Sequence, residues 1–250
     1  MRYFITLSYD GTAYHGWQIQ PHSISVQEEL HKALSTLLRQ PMEVVGAGRT
    51  DTGVHARKMV AHFDYGELDC PQLVYKLNKI LPKDIAVQQV EQVADDMHAR
   101  FSAKSRTYNY FVHLSKDPFR RAYSWQVYGE PDFDLMNRAA EVLMEYRDFT
   151  SFSKLNTDTK TNDCTITEAH WDRVGDGQWC FTISANRFLR NMVRAVVGTL
   201  FQVGQGKMTQ EQFNTMMNNW IAEQAKKAPG DWSAIPREWA ERNNFISGND

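Results

Sequence analysis

The segment from Gly46 to Ala56, GAGRTDTGVHA, holds the residues of this sequence that are best suited to chemistry. It follows an apolar run of β type and places three glycines around Arg49 and Asp51. Glycines let a backbone turn sharply and let another surface approach it closely, so an aspartate on such a loop is held in place yet accessible. An arginine two residues earlier can pair with Asp51 and keep it ionised as a nucleophile or base. The spacing alone leaves open a plain glycine-rich turn with an aspartate cap and a surface arginine.

Predicted strands and helices on both sides of this loop must position it. Residues 2–9 alternate in polarity and predict a strand. Ser25 and Glu28 have the spacing of a capping box, ahead of a helix whose apolar residues share one face. The other elements predicted for this half are strands at 42–48, 58–63 and 85–93 and a helix at 71–81, opened by Pro71. The resulting order, βαββαβ, is that of a ferredoxin-like unit.

The second half of the chain roughly echoes the first. The predicted elements are strands at 105–115, 164–172 and 178–185 and helices at 132–146, 188–204 and 209–223. We therefore predict an α+β fold of two ferredoxin-like or RRM-like half-domains, residues 1–104 and 105–250. They are expected to share one mostly antiparallel sheet with a central active-site cleft.

Composition limits the function classes without choosing among them. The 250 residues carry 28 Lys and Arg against 30 Asp and Glu, a net charge of -2, so nucleic-acid binding would depend on local clusters of cations. Three widely spaced cysteines indicate a reducing compartment, and no apolar run reaches membrane-spanning length, so we expect a cytoplasmic protein with no membrane partner. His55, His62 and His98 lack the spacing of metal ligands, and no metal is predicted.

Several blocks of the sequence resemble the TruA family of tRNA pseudouridine synthases. The loop GAGRTDTGVHA matches that family's signature, and SYDGTAYHGWQIQ, followed by SVQEEL, is similar to its first strand, turn and helix. HARFSAKSRTYNYFV, DFTSFSK and NRFLRNMVRAVVGTL are similar to later blocks, in the family's order, over roughly residues 3–207. A chance match to several ordered blocks is far rarer than a match to one short motif.

The resemblance implies an isomerase that needs no cofactor. It would convert uridine to pseudouridine on the 3′ side of the tRNA anticodon stem-loop, as a homodimer with tRNA as its partner. By position, Asp51 matches the family's nucleophile, Tyr108 its active-site tyrosine, and Arg194 the arginine that pairs with the aspartate. Arg49 matches the arginine that helps hold the flipped nucleotide, with Thr50 beside it. Whether the aspartate attacks C6 of the base or C1′ of the ribose stays open.

The chemistry of these residue types agrees with the roles. Isomerising a stacked base requires taking it out of the helix, and an aromatic side chain such as Tyr108 can then support it. Other interpretations remain: Tyr108 lies in an alternating strand, where packing in the sheet is the default, and Arg194 beside an apolar helix face can reach out to water. Arg187 and Arg190, one predicted helical turn apart, form either a phosphate-binding face or a solvated one.

The tail, residues 224–250, departs from the family pattern. After the last predicted helix the family has a Gly-Leu-aliphatic strand that closes the uracil pocket, and KKAPGDWSAIPREWAERNNFISGND contains no such strand. Which apolar side chain backs the uracil therefore stays open. Two other functions are compatible with the sequence: an RNA-binding or RNA-chaperone module with weakened catalysis, and an acid–base hydrolase that uses Asp51 on a smaller substrate.

Overall fold

The computed structural model of this chain describes residues 1–152 and 161–224. The chain divides into two compact units, Met1–Lys104 and Ser105–Asp250. Most of the atypical tail, residues 225–250, lies outside the described residues, as do Ser153 and Lys154 of the block DFTSFSK. In the described ranges no helix is long and apolar enough to cross a membrane.

The first unit has the predicted order of elements. It contains strands β1 (Arg2–Tyr9), β2 (Val45–Gly46), β3 (Ala56–Asp64) and β4 (Ile85–Val93), with helices α1 (Val26–Leu38) and α2 (Cys70–Ile80). The strands form one sheet in the order β2-β3-β1-β4, and all of its pairings are antiparallel. Strand β1 lies in the middle and ends at Tyr9, beside the start of β3 at Ala56, with which Tyr9 is paired.

Local signals explain why these elements begin where they do. The Ser25 side chain accepts a hydrogen bond from the Glu28 backbone N–H, as the predicted cap requires, and Asp69 does the same for Gln72 at the start of α2. Alternate residues of β1 are buried, and they pack with the apolar faces of both helices in a core of this unit alone. Its largest fully buried side chains are Tyr3, Ile5, Leu7, Leu30, Leu34, Phe63 and Leu77.

The second unit repeats this arrangement with one change. Its strands are β5 (Arg106–His113), β6 (Trp125–Gln126), β7 (Ile166–Gly175) and β8 (Gln178–Ala185), and its helices are α3 (Phe133–Val142), α4 (Met192–Gly204) and α5 (Gln210–Gln224). The sheet order is β6-β5-β8-β7. The two central strands are antiparallel, as in the first unit, but the short edge strand β6 runs parallel to β5 and follows it directly in sequence. The sequence reasoning did not predict β6.

Two further expectations need correction. The α+β class with two halves is confirmed, but the hydrogen bonds between described strands form two four-stranded sheets instead of one shared sheet. Helix α4 begins at Met192, four residues after the predicted start at Phe188. Asn191, just before it, has a left-handed backbone with φ of 64°, which ends any continuous helix through this point.

Candidate active site

Asp51 lies on the loop that joins β2 to β3, residues 47–55. The loop leaves the sheet through a hydrogen bond from the Ala47 N–H to the Val60 carbonyl (2.8 Å) and turns at Asp51, whose carbonyl accepts from the Val54 N–H (3.2 Å). Asp51 is half-buried, whereas Arg49 is exposed. The loop therefore presents an acidic side chain at the surface of the first unit from a backbone that is tied to the sheet.

The segment that follows β1 holds this loop from a second side. The Trp17 N–H donates to the Thr50 carbonyl and the Gly53 N–H donates to the Tyr14 carbonyl, both at 3.2 Å. The Tyr9 hydroxyl and Thr50 Oγ1 lie 3.0 Å apart and share a hydrogen bond. These contacts bracket Asp51, because they act on the residue before it and on Gly53, two residues after it.

Glycine is required where these two segments meet. Gly16 has a positive φ of 86°, and a Cβ on it would overlap the Thr50 carbonyl oxygen. A Cβ on Gly46 would overlap the Trp17 indole, with Cε2 at 2.5 Å. Both positions are close approaches of backbone to backbone or ring, so a larger residue would push the Asp51 loop from its place.

The aromatic residues beside this loop are part of the packing. Trp17 and Tyr14 are both buried, at 2% and 4% exposed. Tyr14 also donates a hydrogen bond from its hydroxyl to Asp84 (2.6 Å). Trp17 lies against Tyr9, with ring centroids 6.2 Å apart. They support the loop and are not available as a surface for bases.

His55 connects the end of the loop to the end of β1. Its Nδ1 lies 3.0 Å from the Gly11 N, which donates to it, and 3.0 Å from an Asp10 carboxylate oxygen. These contacts give His55 a structural role within the first unit. Among the residues that the structure describes, no three His, Cys, Asp or Glu side chains are grouped as metal ligands.

Tyr108 lies on β5 of the second unit, opposite Ile183 of β8. It is half-buried, and its ring meets Phe188 edge to face, with centroids 5.0 Å apart. Tyr110 points to the same face of the strand, two residues on. Burial raises the pKa of Tyr110 to about 12, and the positive charge of Arg194 acts in the opposite direction. Arg194 is thus close enough to Tyr110 for its charge to act on that hydroxyl.

Arg194 is half-buried in the first turn of α4. The prediction that Arg187 and Arg190 share a helix face was wrong, because both precede the helix. Arg187 is half-buried and donates from Nη1 to Thr161 Oγ1 (3.4 Å), and Arg190 is exposed at a turn. The two arginines can still meet phosphates, although not as neighbours on one helical turn.

The proposed site residues thus form one group in each unit. Arg49, Thr50 and Asp51 share the loop of the first unit. In the second, Arg187, Arg190 and Arg194 lie in one short segment around the start of α4, and Tyr108 of β5 contacts Phe188 of that segment. Sequence reasoning missed the supporting roles of Tyr9 and Phe188. Tyr9 is the last residue of the predicted strand 2–9, directly before the segment that contacts the loop. That position was the signal available in the sequence. Phe188 offered no such signal, because the apolar pattern placed it in the predicted helix.

Comparison with known proteins identifies this architecture. An α+β fold of two four-stranded sheets, with an aspartate on a glycine-rich loop, is that of a pseudouridine synthase, and the family model described as tRNA pseudouridine synthase matches residues 5–102 and 139–232. The chain is 59% identical over 219 residues to a protein named tRNA pseudouridine synthase A from Bacteroides thetaiotaomicron. The matched region covers 86% of this chain and 81% of that protein.

Two further proteins of that name extend the likeness. The one from Porphyromonas gingivalis is 53% identical over 87% of this chain and 88% of its own length. The one from Bacillus subtilis is 40% identical over 92% of this chain and 95% of its own. The chain belongs to the tRNA pseudouridine synthase family, and it is an isomerase.

Proposed function

We propose that this enzyme isomerises uridines on the 3′ side of the tRNA anticodon stem-loop to pseudouridine, with Asp51 as the nucleophile. The observation that carries the proposal is the double support of the Asp51 loop, by the sheet at Ala47 and by the segment at Trp17 and Tyr14. A nucleophile must meet the atom that it attacks in one fixed geometry, and a carboxylate on a loop bonded from two sides meets that condition.

The remaining residues supply what the reaction needs besides a nucleophile. The target uridine leaves the stacked helix before it reacts, and Tyr108 offers a ring to the flipped base at its half-buried position on β5. The Tyr108 hydroxyl is also a group that can take the proton from C5 of the base. In this proposal Arg194 has the role of the cation that keeps the nucleophile ionised.

Substrate binding falls to the exposed and half-exposed groups around these residues. Arg49 and Thr50 hold the flipped nucleotide next to Asp51, and Arg187 and Arg190 contact phosphates of the tRNA backbone. No metal or organic cofactor enters the reaction. In this proposal residues 1–104 carry the nucleophile and residues 105–250 complete the active site.

Assembly and location are further parts of the proposal. A homodimer would add the cations of two copies, and a chain of net charge -2 gains from that when it binds a polyanion. The three free cysteines suit a reducing compartment, and the enzyme would meet its tRNA in the cytoplasm.

The first test is release of tritium from tRNA that is labelled at C5 of uridine. The wild-type enzyme should release the label, and Asp51→Asn should not, while both bind tRNA with similar affinity. Arg49→Gln is the matched comparison on the same loop, and it should lower affinity more than turnover. Tritium release by Asp51→Asn at the wild-type rate would rule out the assignment of the nucleophile.

A further inference from the structure

The turn between β5 and β6 presents a group of exposed rings and cations that the proposed reaction does not use. Phe119 is 91% exposed, Tyr123 is 56% exposed, and Tyr128, just past β6, is 76% exposed. Lys116, Arg120 and Arg121 are exposed in the same turn. Single exposed apolar residues are normal, but large rings interleaved with cations over one short segment are not typical of an inert surface.

The turn is held in one conformation by its own hydrogen bonds. Asp117 accepts from the Phe119 backbone N–H (2.9 Å) and from Arg120 Nε (3.0 Å). The Arg120 carbonyl accepts from the N–H groups of Tyr123 and Ser124, both at 2.9 Å. The exposure of Phe119 is therefore a property of a bonded turn and does not come from a loose loop.

Both ends of the turn are fixed to the second unit. The Leu114 N–H donates to the Gly177 carbonyl (2.8 Å), and Ser124 Oγ lies 2.9 Å from His113 Nδ1. Beyond it, the Trp125 ring packs edge to face on Phe201 of the core, with centroids 4.9 Å apart. A ring that is presented by a fixed turn loses little conformational entropy when it binds, so this turn is suited to recognition.

The chemistry of the turn fits unpaired RNA. Between Lys116 and Tyr123 there are three cations and one acid, Asp117. Aromatic faces stack on bases of any identity, and cations beside them meet the phosphates. A symmetric contact with a second copy of the chain would instead bring the cations of one turn against those of the other.

We propose that the surface formed by residues 116–128, the 116–128 surface, binds tRNA. Phe119 stacks on an unpaired base, and Arg121 contacts a phosphate. The proposal rests on tRNA as the substrate of the family and adds a contact outside the catalytic group. It predicts that part of the affinity for tRNA comes from this surface, separately from turnover.

The first experiment places a photo-crosslinking benzoylphenylalanine at position 119 in the full-length enzyme. The matched control places it at Tyr75, which is 64% exposed on α2 of the other unit. With an unmodified tRNA transcript we expect a protein–RNA crosslink from position 119 that is much stronger than that from position 75. A crosslink from position 119 to a second copy of the chain, and none to tRNA, would overturn the proposal.

The second experiment measures tRNA affinity against salt concentration. Phe119→Ala should weaken binding by roughly 5- to 150-fold, the range for loss of one stacked base, without changing the salt dependence. Arg121→Gln should lower the slope of log K against log salt by about 0.7 to 0.9. Tyr75→Ala should change neither quantity. Wild-type affinity in both surface variants would overturn the proposal.

A failure of the proposed reaction can be distinguished from a failure of the 116–128 surface to bind tRNA. Tritium release at saturating tRNA reports on Asp51 and its partners, and Tyr75→Ala should keep the wild-type maximal rate. An enzyme that crosslinks at position 119 yet releases no tritium would contradict the reaction alone.

Discussion

The hydroxyl of Tyr9 lies 3.0 Å from Oγ1 of Thr50, the residue directly before Asp51. Tyr9 ends the central strand of its sheet, is 4% exposed, and packs against Trp17, whose backbone N–H bonds the Thr50 carbonyl. Thr50 is thus held through its side chain and its backbone by two buried residues. The position of the proposed nucleophile therefore depends on a tyrosine hydroxyl that bonds the residue next to it.

Tyr9→Phe should lower turnover more than it lowers substrate binding. The ring stays in the core and the hydrogen bond to Thr50 is lost, which should cost about 0.5–1.5 kcal/mol of unfolding free energy. Because small displacements of a reacting group are costly, we expect kcat to fall on the order of 10- to 100-fold with little change in KM. Steady-state tritium release measures both constants.

Tyr3→Phe is the matched control for that experiment. Tyr3 lies on the same strand, is 2% exposed, and donates its hydroxyl to the Gly66 carbonyl at 2.9 Å, at the other end of the strand from Thr50. It should lose a similar amount of stability and keep the wild-type kcat. Equal losses of kcat in the two variants would show that the effect of Tyr9 is general destabilisation.

Gly46→Ala should destabilise the first unit. The added methyl group would overlap the indole of Trp17, and forcing an extra carbon into a packed site typically costs about 1–3 kcal/mol. Gly48→Ala is the comparison, since a Cβ there would have no atom within 4 Å. Urea unfolding should separate the two variants, and an unchanged midpoint for Gly46→Ala would contradict the packing of Trp17.

Arg194→Lys should lower turnover, whereas Arg190→Gln should lower the salt dependence of tRNA binding. Arg194 is half-buried near Tyr110, and a lysine cannot reproduce its planar set of donors, so we expect kcat to fall on the order of 100-fold with tRNA still bound. Arg190 is exposed, and its loss should lower the salt slope of tRNA binding by about 0.7 to 0.9 with kcat unchanged. The reverse result would exchange the two roles.

His62 should make stability fall as the pH drops below about 6.5. Its Nδ1 accepts from the Ala99 N–H at 3.2 Å, and burial lowers its pKa from the ordinary value of 6.5, with the charges of Arg2 and His98 adding to that and Asp64 opposing it. The neutral form is the native one. Above pH 6.5 His62 is neutral in the unfolded chain too, and its contribution to the free energy of unfolding is complete. That contribution declines as the pH falls from 6.5 towards the lowered pKa.

His62→Asn tests this effect of pH. An asparagine oxygen can accept from Ala99 but takes no proton in this range, so the variant should lose less stability than the wild type between pH 7.5 and 5.5. Urea unfolding at both pH values gives the comparison. Parallel losses in the two proteins would assign the pH dependence to other groups.

The elements that sequence predicted well are those with local signals. The end residues of β4 and β8 were predicted as the structure has them, because alternation and turn residues mark them. The start of α4 was wrong because Leu189 and Met192 are both buried and continue an apolar stripe, while the left-handed Asn191 interrupts the helix. Strand β6 has two residues and pairs in parallel with β5, which no local pattern indicates.

The candidate site shows the same division between local and tertiary information. Asp51 could be chosen from its glycine-rich loop, but its support by Tyr9 and Trp17 depends on contacts more than thirty residues apart in sequence. Arg187 and Arg190 were predicted to lie one helical turn apart, but both precede α4. The choice of reacting groups stays a prediction from the sequence, and the folded chain adds the residues that support the Asp51 loop.

Each unit has a hydrophobic core made of its own residues, and this bears on cooperativity. The two core clusters have no residue in common. Unfolding need not then be a single transition, and one melting temperature would not describe the whole chain. A cavity mutation at Leu34 would weaken the first unit, and one at Leu200 the second. Since the proposed reaction draws on residues of both, the temperature at which turnover stops would be set by the weaker unit, whichever core the mutation touched.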